Sequence, residues 1–546
     1  MLKKLICICL VLLLFPLLTD VLIPPARQLS DALLGKSARS LPASWDDIFS
    51  INMEEISRRS LEAEQTAAAR EAAREAARER AGRPRRLPEA PGPDRIISTN
   101  QGEVGVYTDG SVGLNLSRDS REYLLPNGDI FYQQRLRYGE NAADGQPVVA
   151  AALRLPGSGG TLRSYDKAAE AWEILPLAEG SYENRMYFLE TEGQSLILVP
   201  PLAYYSRANQ TLEAVPAYSG SLEIRREQEG WLIILYAPSL PGGQSEYFYL
   251  LCQEKIIDWD NATAASAWTS YDFTADNRWC YAGYYYLAPS QYIPSGERYY
   301  HRLPAAYIAA KLAFNSGRAA GDLALCMLDV MLELQNGDGW FPTYAGSQWL
   351  QEDYGIGPGF YDTRFNSDLV KALIQLAVDY EIPDFARAAL RYGAWYLQMA
   401  RGNHFTVSAA DGGSGWLVYD YYHPEGQLPT HCSLNHQAAE IILLFKLYDL
   451  SGDPAYEQLA QTMIRGITAV GKAWIKPNGS LHYAYLTDGS CGMDDYLYLT
   501  YNDLYELQQL LVQRCGEENP GIAELLATKL AWLKRNHVTG YLGWEP

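Results

Sequence analysis

HPEGQLPTHCSLNHQAAEIILLFKLYDL, residues 423–450, changes character half-way along. In its second half Leu434, Ala438, Ile441, Phe445 and Tyr448 recur at i, i+4, i+7, i+11 and i+14, one face of an amphipathic helix. Between His423 and Gln437 lie three of the chain's seven histidines, a glutamate and an asparagine, in a loop that turns into that helix. Polar groups able to handle protons or sugar hydroxyls therefore stand at the mouth of a buried element, and loops held by a rigid scaffold commonly carry function. Gly452-Asp453-Pro454 then stops one helix and starts the next.

The helical period extends outward from this stretch. It predicts helices near Leu303–Asn315, Gly321–Gln335, Ser367–Tyr380, Pro383–Ala400, His431–Leu450, Pro454–Ala473, Tyr498–Gln513 and Pro520–Arg535. These form four hairpins whose long connections (NGDGWFPTYAGSQW, GGSGWLVYDYYHPEG, KPNGSLHYAY) alternate with short ones. The pattern predicts an all-α (α/α) toroid over residues 261–546, with the long loops gathered at one end as a cleft. Residues 96–260 read differently. Runs such as SLILVPPL, GWLIILYAP and EYFYLLC, separated by Gly, Asn-Gly and Pro turns, predict an antiparallel β-sandwich-like domain.

Upstream, Lys3 and Lys4 precede the apolar run Leu5–Leu18, and no small-x-small cleavage site follows. About 18 residues can span a bilayer, so residues 1–24 are expected to be a signal anchor or transmembrane segment that holds the rest outside the cytoplasm. A cleaved segment would release it as a secreted protein. Residues 25–95 are a linker: an alanine-rich helix over Met53–Ala81, supported by Glu71–Arg74 and Glu75–Arg78 pairs, then the stiff GRPRRLPEAPGPD.

Lys and Arg number 45 against 65 Asp and Glu, a net charge of −20 that argues against nucleic acid as a partner. An acidic glycan bound in a local cationic cleft remains compatible. Forty tyrosines and thirteen tryptophans can line sugar sites or fill cores. Cys252, Cys280, Cys326, Cys432, Cys491 and Cys515 show no CxxC or Cys/His spacing, so no metal site is expected, and disulfides are permitted but not required.

Several short motifs occur in a shared order. Gly339-Trp340-Phe341-Pro342, then Pro358-Gly359-Phe360-Tyr361 leading into Ser367-Asp368-Leu369, then Pro429-Thr430 and Ser433-Leu434-Asn435 ending in Leu447-Tyr448-Asp449-Leu450 resemble the C-terminal domain of D-glucuronyl C5-epimerases. Gly479-Ser480-Leu481 with Tyr483, then Tyr498 and Thr500, is similar to that family's last two tyrosine-bearing elements. The resemblance covers roughly residues 335–512 and implies proton abstraction at carbon 5 of a glucuronosyl residue in a polysaccharide, with return of a proton to the opposite face and no cofactor. It also implies tyrosine acid/base groups, for which Tyr483 and Tyr498 match best, with Tyr485, Tyr496 and Tyr501 close by.

Where the family has Tyr before Pro-Thr, this chain has Leu428, which cannot move a proton. Tyr422, His423 or Glu425 takes that part, or the chemistry is absent; His423, His431 and His436 all titrate near neutrality when unperturbed. Arg364, flanked by Asp362 and Asn366, is the candidate grip on a uronate carboxylate, its alternative being an ion pair with Asp362 or Asp368. Tyr361, Asn366, Trp340, His431, Asn435 and His436 complete the expected substrate-binding set, with Trp349 and Tyr354 as further stacking faces. The expectation is thus an epimerase of uronate-containing, glycosaminoglycan-like polysaccharide in the cell envelope or outside it, compatible with a homodimer. Two alternatives stand beside it. A lyase or hydrolase of acidic glycans would share the cleft, and a silent glycan-binding or assembly module would have lost the proton shuttle at Leu428.

Overall fold

The computed structural model describes residues 92–544 apart from 256, 316 and 409–411. The expected anchor at 1–24 and the helical rod lie outside the described residues. Among those described, no helix is long and apolar enough to cross a membrane.

The β-rich part is two stacked antiparallel sheets. In the larger one, Ile130–Tyr138, Gln244–Cys252 and Ser195–Arg207 run side by side. The smaller is built from Pro147–Pro156, Gly230–Pro238, Ser221–Glu227 and Gly180–Tyr182. The run SLILVPPL is apolar without alternation because both of its faces are covered. Leu196 and Leu198 pack into the core between the sheets. Ile197 and Val199, pointing the other way, join the core shared with the helices. Phe248 and Leu250 against Tyr247 and Leu251 divide in the same manner. The large sheet continues past residue 260, through Asn277–Cys280, Gly283–Leu287 and Tyr299–Arg302.

Beyond Arg302 a short helix, Gln348–Tyr354, lies in one connection, and eight others build the array, numbered here α1 (Tyr307–Ala313), α2 (Arg318–Met331), α3 (Thr363–Asp379), α4 (Pro383–Gly402), α5 (Leu434–Ser451), α6 (Pro454–Val470), α7 (Leu499–Cys515) and α8 (Pro520–Arg535). Each overlaps one of the helices that the period predicts. They pair as four hairpins: α1, α3, α5 and α7 pack one against the next in an inner row, and α2, α4, α6 and α8 lie outside them. Asp453 and Asn519 cap α6 and α8 ahead of Pro454 and Pro520, and Gly452 closes α5 with φ 71°.

Helix α5 departs from expectation. The single stripe predicted an amphipathic helix, yet Leu434 to Phe445 are buried on every side, including His436, Gln437 and Glu440. The reason is its place at the centre of the array, with α3 and α7 flanking it and α4 and α6 behind.

The first hairpin seats the β layer. Helix α2 packs on the large sheet, and its Asp329 accepts from Arg95 at 2.8 Å and from the hydroxyl of Tyr123 at 2.7 Å. Arg318 reaches Asp129 at 2.7 Å, and Arg121 reaches Glu333 at 2.6 Å. At the far side, the hairpin His404–Ser408 with Ser414–Val418 lies on α6. A Cβ on Gly466 would lie 2.2 Å from the Trp416 carbonyl oxygen, and one on Gly415 would lie 2.0 Å from the Gly466 nitrogen. Gly466→Ala is therefore expected to cost about 1–3 kcal/mol or more by overpacking, read as a lowered denaturation midpoint.

Candidate active site

The starts of the inner helices α3 and α7 are joined directly. Arg364 in the first turn of α3 donates to Asp503, at the start of the second turn of α7, at 2.6 Å. Three short strand pairs stitch the loops there: Tyr361–Asp362 with Tyr421–Tyr422, Cys432–Ser433 with residues 484–485, and Tyr292–Ile293 with Gly346–Ser347. This end collects the titratable groups.

Asp420 is fully buried, and its carboxyl accepts from the backbone N–H of Ser433 at 2.9 Å and from the Ser433 hydroxyl. His431 Nε2 lies 3.4 Å and His436 Nδ1 3.5 Å from its Oδ2, and neither nitrogen makes a hydrogen bond. Burial pushes the Asp420 carboxyl well above the usual carboxylate range, although Ser433 pulls it down. Burial also pushes His431 down to about 4 and His436 well below its ordinary value. Burial thus favours the uncharged form of all three: the acid form of Asp420 beside neutral imidazoles. Tyr354 and His431 Nδ1 share a hydrogen bond of 2.8 Å.

Asp362 is the group most of its neighbours feel. It caps α3 by accepting from the Phe365 N–H at 2.9 Å and is only 3 % exposed. Burial lifts its carboxyl to about 7, against the Phe365 and Arg364 N–H groups that lower it. The phenols of Tyr292, Tyr421, Tyr483 and Tyr496 are all raised, first by burial and further by acidic neighbours that include Asp362. The Tyr483 ring stands 5.9 Å from His431 and 5.6 Å from the half-exposed Tyr496.

Arg364 is engaged. Nε donates to Asp368 at 2.9 Å and Nη1 to Asp503. Burial would lower its pKa, but the two carboxylates hold it well above the ordinary value. Asp368, which burial would raise, is brought down to about 2 by Arg364 and Lys371.

The expected residues fall into three places. Tyr483, His431 and His436 come together around Asp420, with Arg364 nearby. Trp340, Tyr361 and Tyr422 instead form a packed aromatic floor with Trp395. Below that floor Tyr361 and Tyr392 bond to one another at 2.7 Å, and Tyr392 donates to Glu440 at 2.7 Å; burial lifts this glutamate to about 8. Asn366 is consumed by Phe341, accepting its N–H at 2.8 Å and donating to its carbonyl at 2.9 Å. Asn435 is buried at the start of α5 with its Oδ1 unpaired.

The third place is the loop over the site. His423 Nδ1 accepts from the Glu425 N–H at 3.2 Å, bracing a turn from which Glu425 points into solvent. Leu428 is 61 % exposed, and its N–H donates to the Tyr354 carbonyl at 3.0 Å. Tyr498 precedes α7 and packs with Tyr501, Leu533 and Tyr541, away from Tyr483. Tyr496, two residues earlier, is the one beside Tyr483. Asp494 and Asp495 are paired with Lys476 and Lys529. Among the described residues no group of three or more His, Cys, Asp or Glu side chains could hold a metal ion.

Sequence reasoning missed Asp420 and gave Asp362 only as a salt-bridge partner. The available signal was a lone acid in the apolar, aromatic run GWLVYDYY, where a carboxyl is forced under cover.

No family model matches the chain, and no curated protein matches it. Solved structures similar to part of it include a D-mannose isomerase, at 18% identity over 42% of this chain and 59% of that one, with a TM-score of 0.32. A cellobiose 2-epimerase from Bacillus thermoamylovorans shows 11% identity over 50% of this chain and 68% of that one, with a TM-score of 0.35. An unsaturated glucuronyl hydrolase from Bacillus sp. GL1 shows 14% identity over 42% of this chain and 60% of that one, with a TM-score of 0.29. The chain thus spans about three-fifths of the length of the isomerase and of the hydrolase.

Proposed function

We propose that the protein is a carbohydrate-modifying enzyme that exchanges the proton at carbon 5 of uronosyl residues in an acidic polysaccharide, giving the C5 epimer. One observation carries this reading: proton-handling groups of different strength converge where the inner helices begin. Asp362, lifted to about 7, suits a general base at neutral pH. Tyr483, whose phenol stays protonated, suits the acid that returns a proton, with Tyr496 at the mouth. Tyr354, bonded to His431, supplies a phenol where Leu428 supplies none. The enolate formed at the uronate carboxyl gains from the N-terminal ends of α3, α5 and α7 and from the cationic Arg364. No cofactor enters this chemistry.

Incubation with uronate polymers in heavy water is expected to place deuterium at carbon 5 and to yield both epimers. An ultraviolet-absorbing unsaturated uronate would instead mean β-elimination, and reducing ends without exchange would mean hydrolysis; either result overturns the epimerase reading. The base form of Asp362 is the ionised one. The exchange rate is therefore expected to fall about tenfold per unit of pH below about 7 and to level off above it. A pH profile of kcat/KM measures this, and a flat profile from pH 5 to 8 would remove Asp362 from the assignment.

A further inference from the structure

We infer that Lys529, on the outer helix α8, is a positioning residue that sets the place of Tyr496 and of the strand carrying Tyr483. The side chain is completely buried. An ammonium has three donors, and here each has a partner: Asp495 Oδ2 at 2.5 Å, Ser480 Oγ at 3.1 Å and the Tyr496 carbonyl oxygen at 3.1 Å. Ser480 and Tyr496 are the two ends of one segment. Between them the chain forms the antiparallel pair His482–Tyr485 with Cys491–Asp494, whose first strand also pairs with Cys432–Ser433 beside Asp420. A single cation thus clasps both ends of the hairpin that presents the phenols. Asp495 extends the clasp by accepting from the hydroxyl of Thr500 in the first turn of α7.

Stability alone does not account for this arrangement. A buried ion pair loses hydration on both partners, and apolar residues of similar volume commonly serve a fold as well or better. What an ion pair with three directed hydrogen bonds adds is orientation, here of the Tyr496 backbone and of the residues leading to Tyr483. The effect on turnover rests on the function proposed above; the effect on the segment does not.

The test is the double variant Lys529→Met/Asp495→Leu, which removes both charges together and keeps an apolar filling. It is expected to melt no lower than the parent, to lower kcat for C5 exchange by about 30-fold or more while KM stays within about threefold, and to speed amide hydrogen exchange across 480–498 at least about tenfold. Protection in the rest of α7 and in α8 is expected to stay unchanged. Unchanged amide protection of 480–498 in the folded double variant overturns the inference, and so does failure of that variant to fold, which would make the pair a structural requirement. Amide exchange needs no substrate. A parent protein that turns over no uronate polymer therefore overturns the proposed function and leaves the positioning role to be judged on the amides.

Discussion

Tyr483→Phe and Tyr496→Phe are each expected to lower the proposed deuterium exchange at carbon 5 by about 10²–10⁴-fold, the usual worth of a positioned acid or base, whereas Tyr498→Phe is expected to leave it within a factor of about two. The contrast follows from two residues of sequence separation. Tyr496 lies against Tyr483 at 5.6 Å and is raised by burial and by Asp362, while Tyr498 faces the cluster of Tyr501, Leu533 and Tyr541. The Tyr483 hydroxyl shares a hydrogen bond with Ser433, whose own hydroxyl is also held by Asp420, and the Tyr496 ring is half exposed, so removal of either hydroxyl should cost the fold about 1 kcal/mol or less. The measurement is exchange at carbon 5 in heavy water, with thermal melting alongside. Full activity in both Tyr483→Phe and Tyr496→Phe, or its loss in Tyr498→Phe alone, would transfer the chemistry elsewhere.

Arg364→Met is the second large effect, and it is one of stability. The guanidinium is shared by Asp368 and Asp503, both buried against it at 2.9 and 2.6 Å. Its removal leaves buried Asp503 without its hydrogen-bonded cation, while Lys371, 3.0 Å from Asp368, cushions that carboxylate directly and Asp503 only at a distance. Breaking a buried pair in this way costs about 3–5 kcal/mol, read by chemical denaturation. The triple variant Arg364→Met/Asp368→Leu/Asp503→Leu is expected to recover most of that loss, because no charge is then stranded. The pH dependence has a definite sign. Asp368 is held at about 2 in the folded protein, below its ordinary value, so its contribution is present above the unfolded pKa of a carboxylate and fades as pH falls through about 2. In Arg364→Met that acid-side loss is expected to shrink. A variant as stable as the parent would show the cluster to be well solvated.

The helices were legible because their signals are local. Period 3.6, the capping Asp453 and Asn519, the prolines after them and the closing Gly452 all act within one or two turns of the chain. The buried-all-round character of α5 was not legible, since it depends on four neighbours that no window around residues 434–451 contains. Much of the candidate site eluded the sequence for a similar reason. Tyr496 and Tyr498 are equivalent by composition and by nearby motif; what separates them is Lys529 gripping the chain at 496 and Leu533 receiving the ring at 498. Trp340 and Tyr361 carry a convincing sugar-site look, yet Trp395 on α4, 55 residues beyond the first and 34 beyond the second, draws them into a floor. Arg364 had both fates open in sequence, and the long-range Asp503 decided for the ion pair.

The large sheet buries one set of side chains against the smaller sheet and the other in the core it shares with α2. A chain cut near residue 260 would strip Phe248, Leu250 and Ile197 of one wall and α2 of the other, and both fragments would present sticky apolar surfaces. The connecting loop itself is exposed at Glu254, Lys255 and Asp260, so limited proteolysis there is expected to leave the two fragments associated through that apolar contact. For the substrate proposed above, access is therefore expected by way of the loops where the inner helices begin, and not through a parting of the β layer from α2.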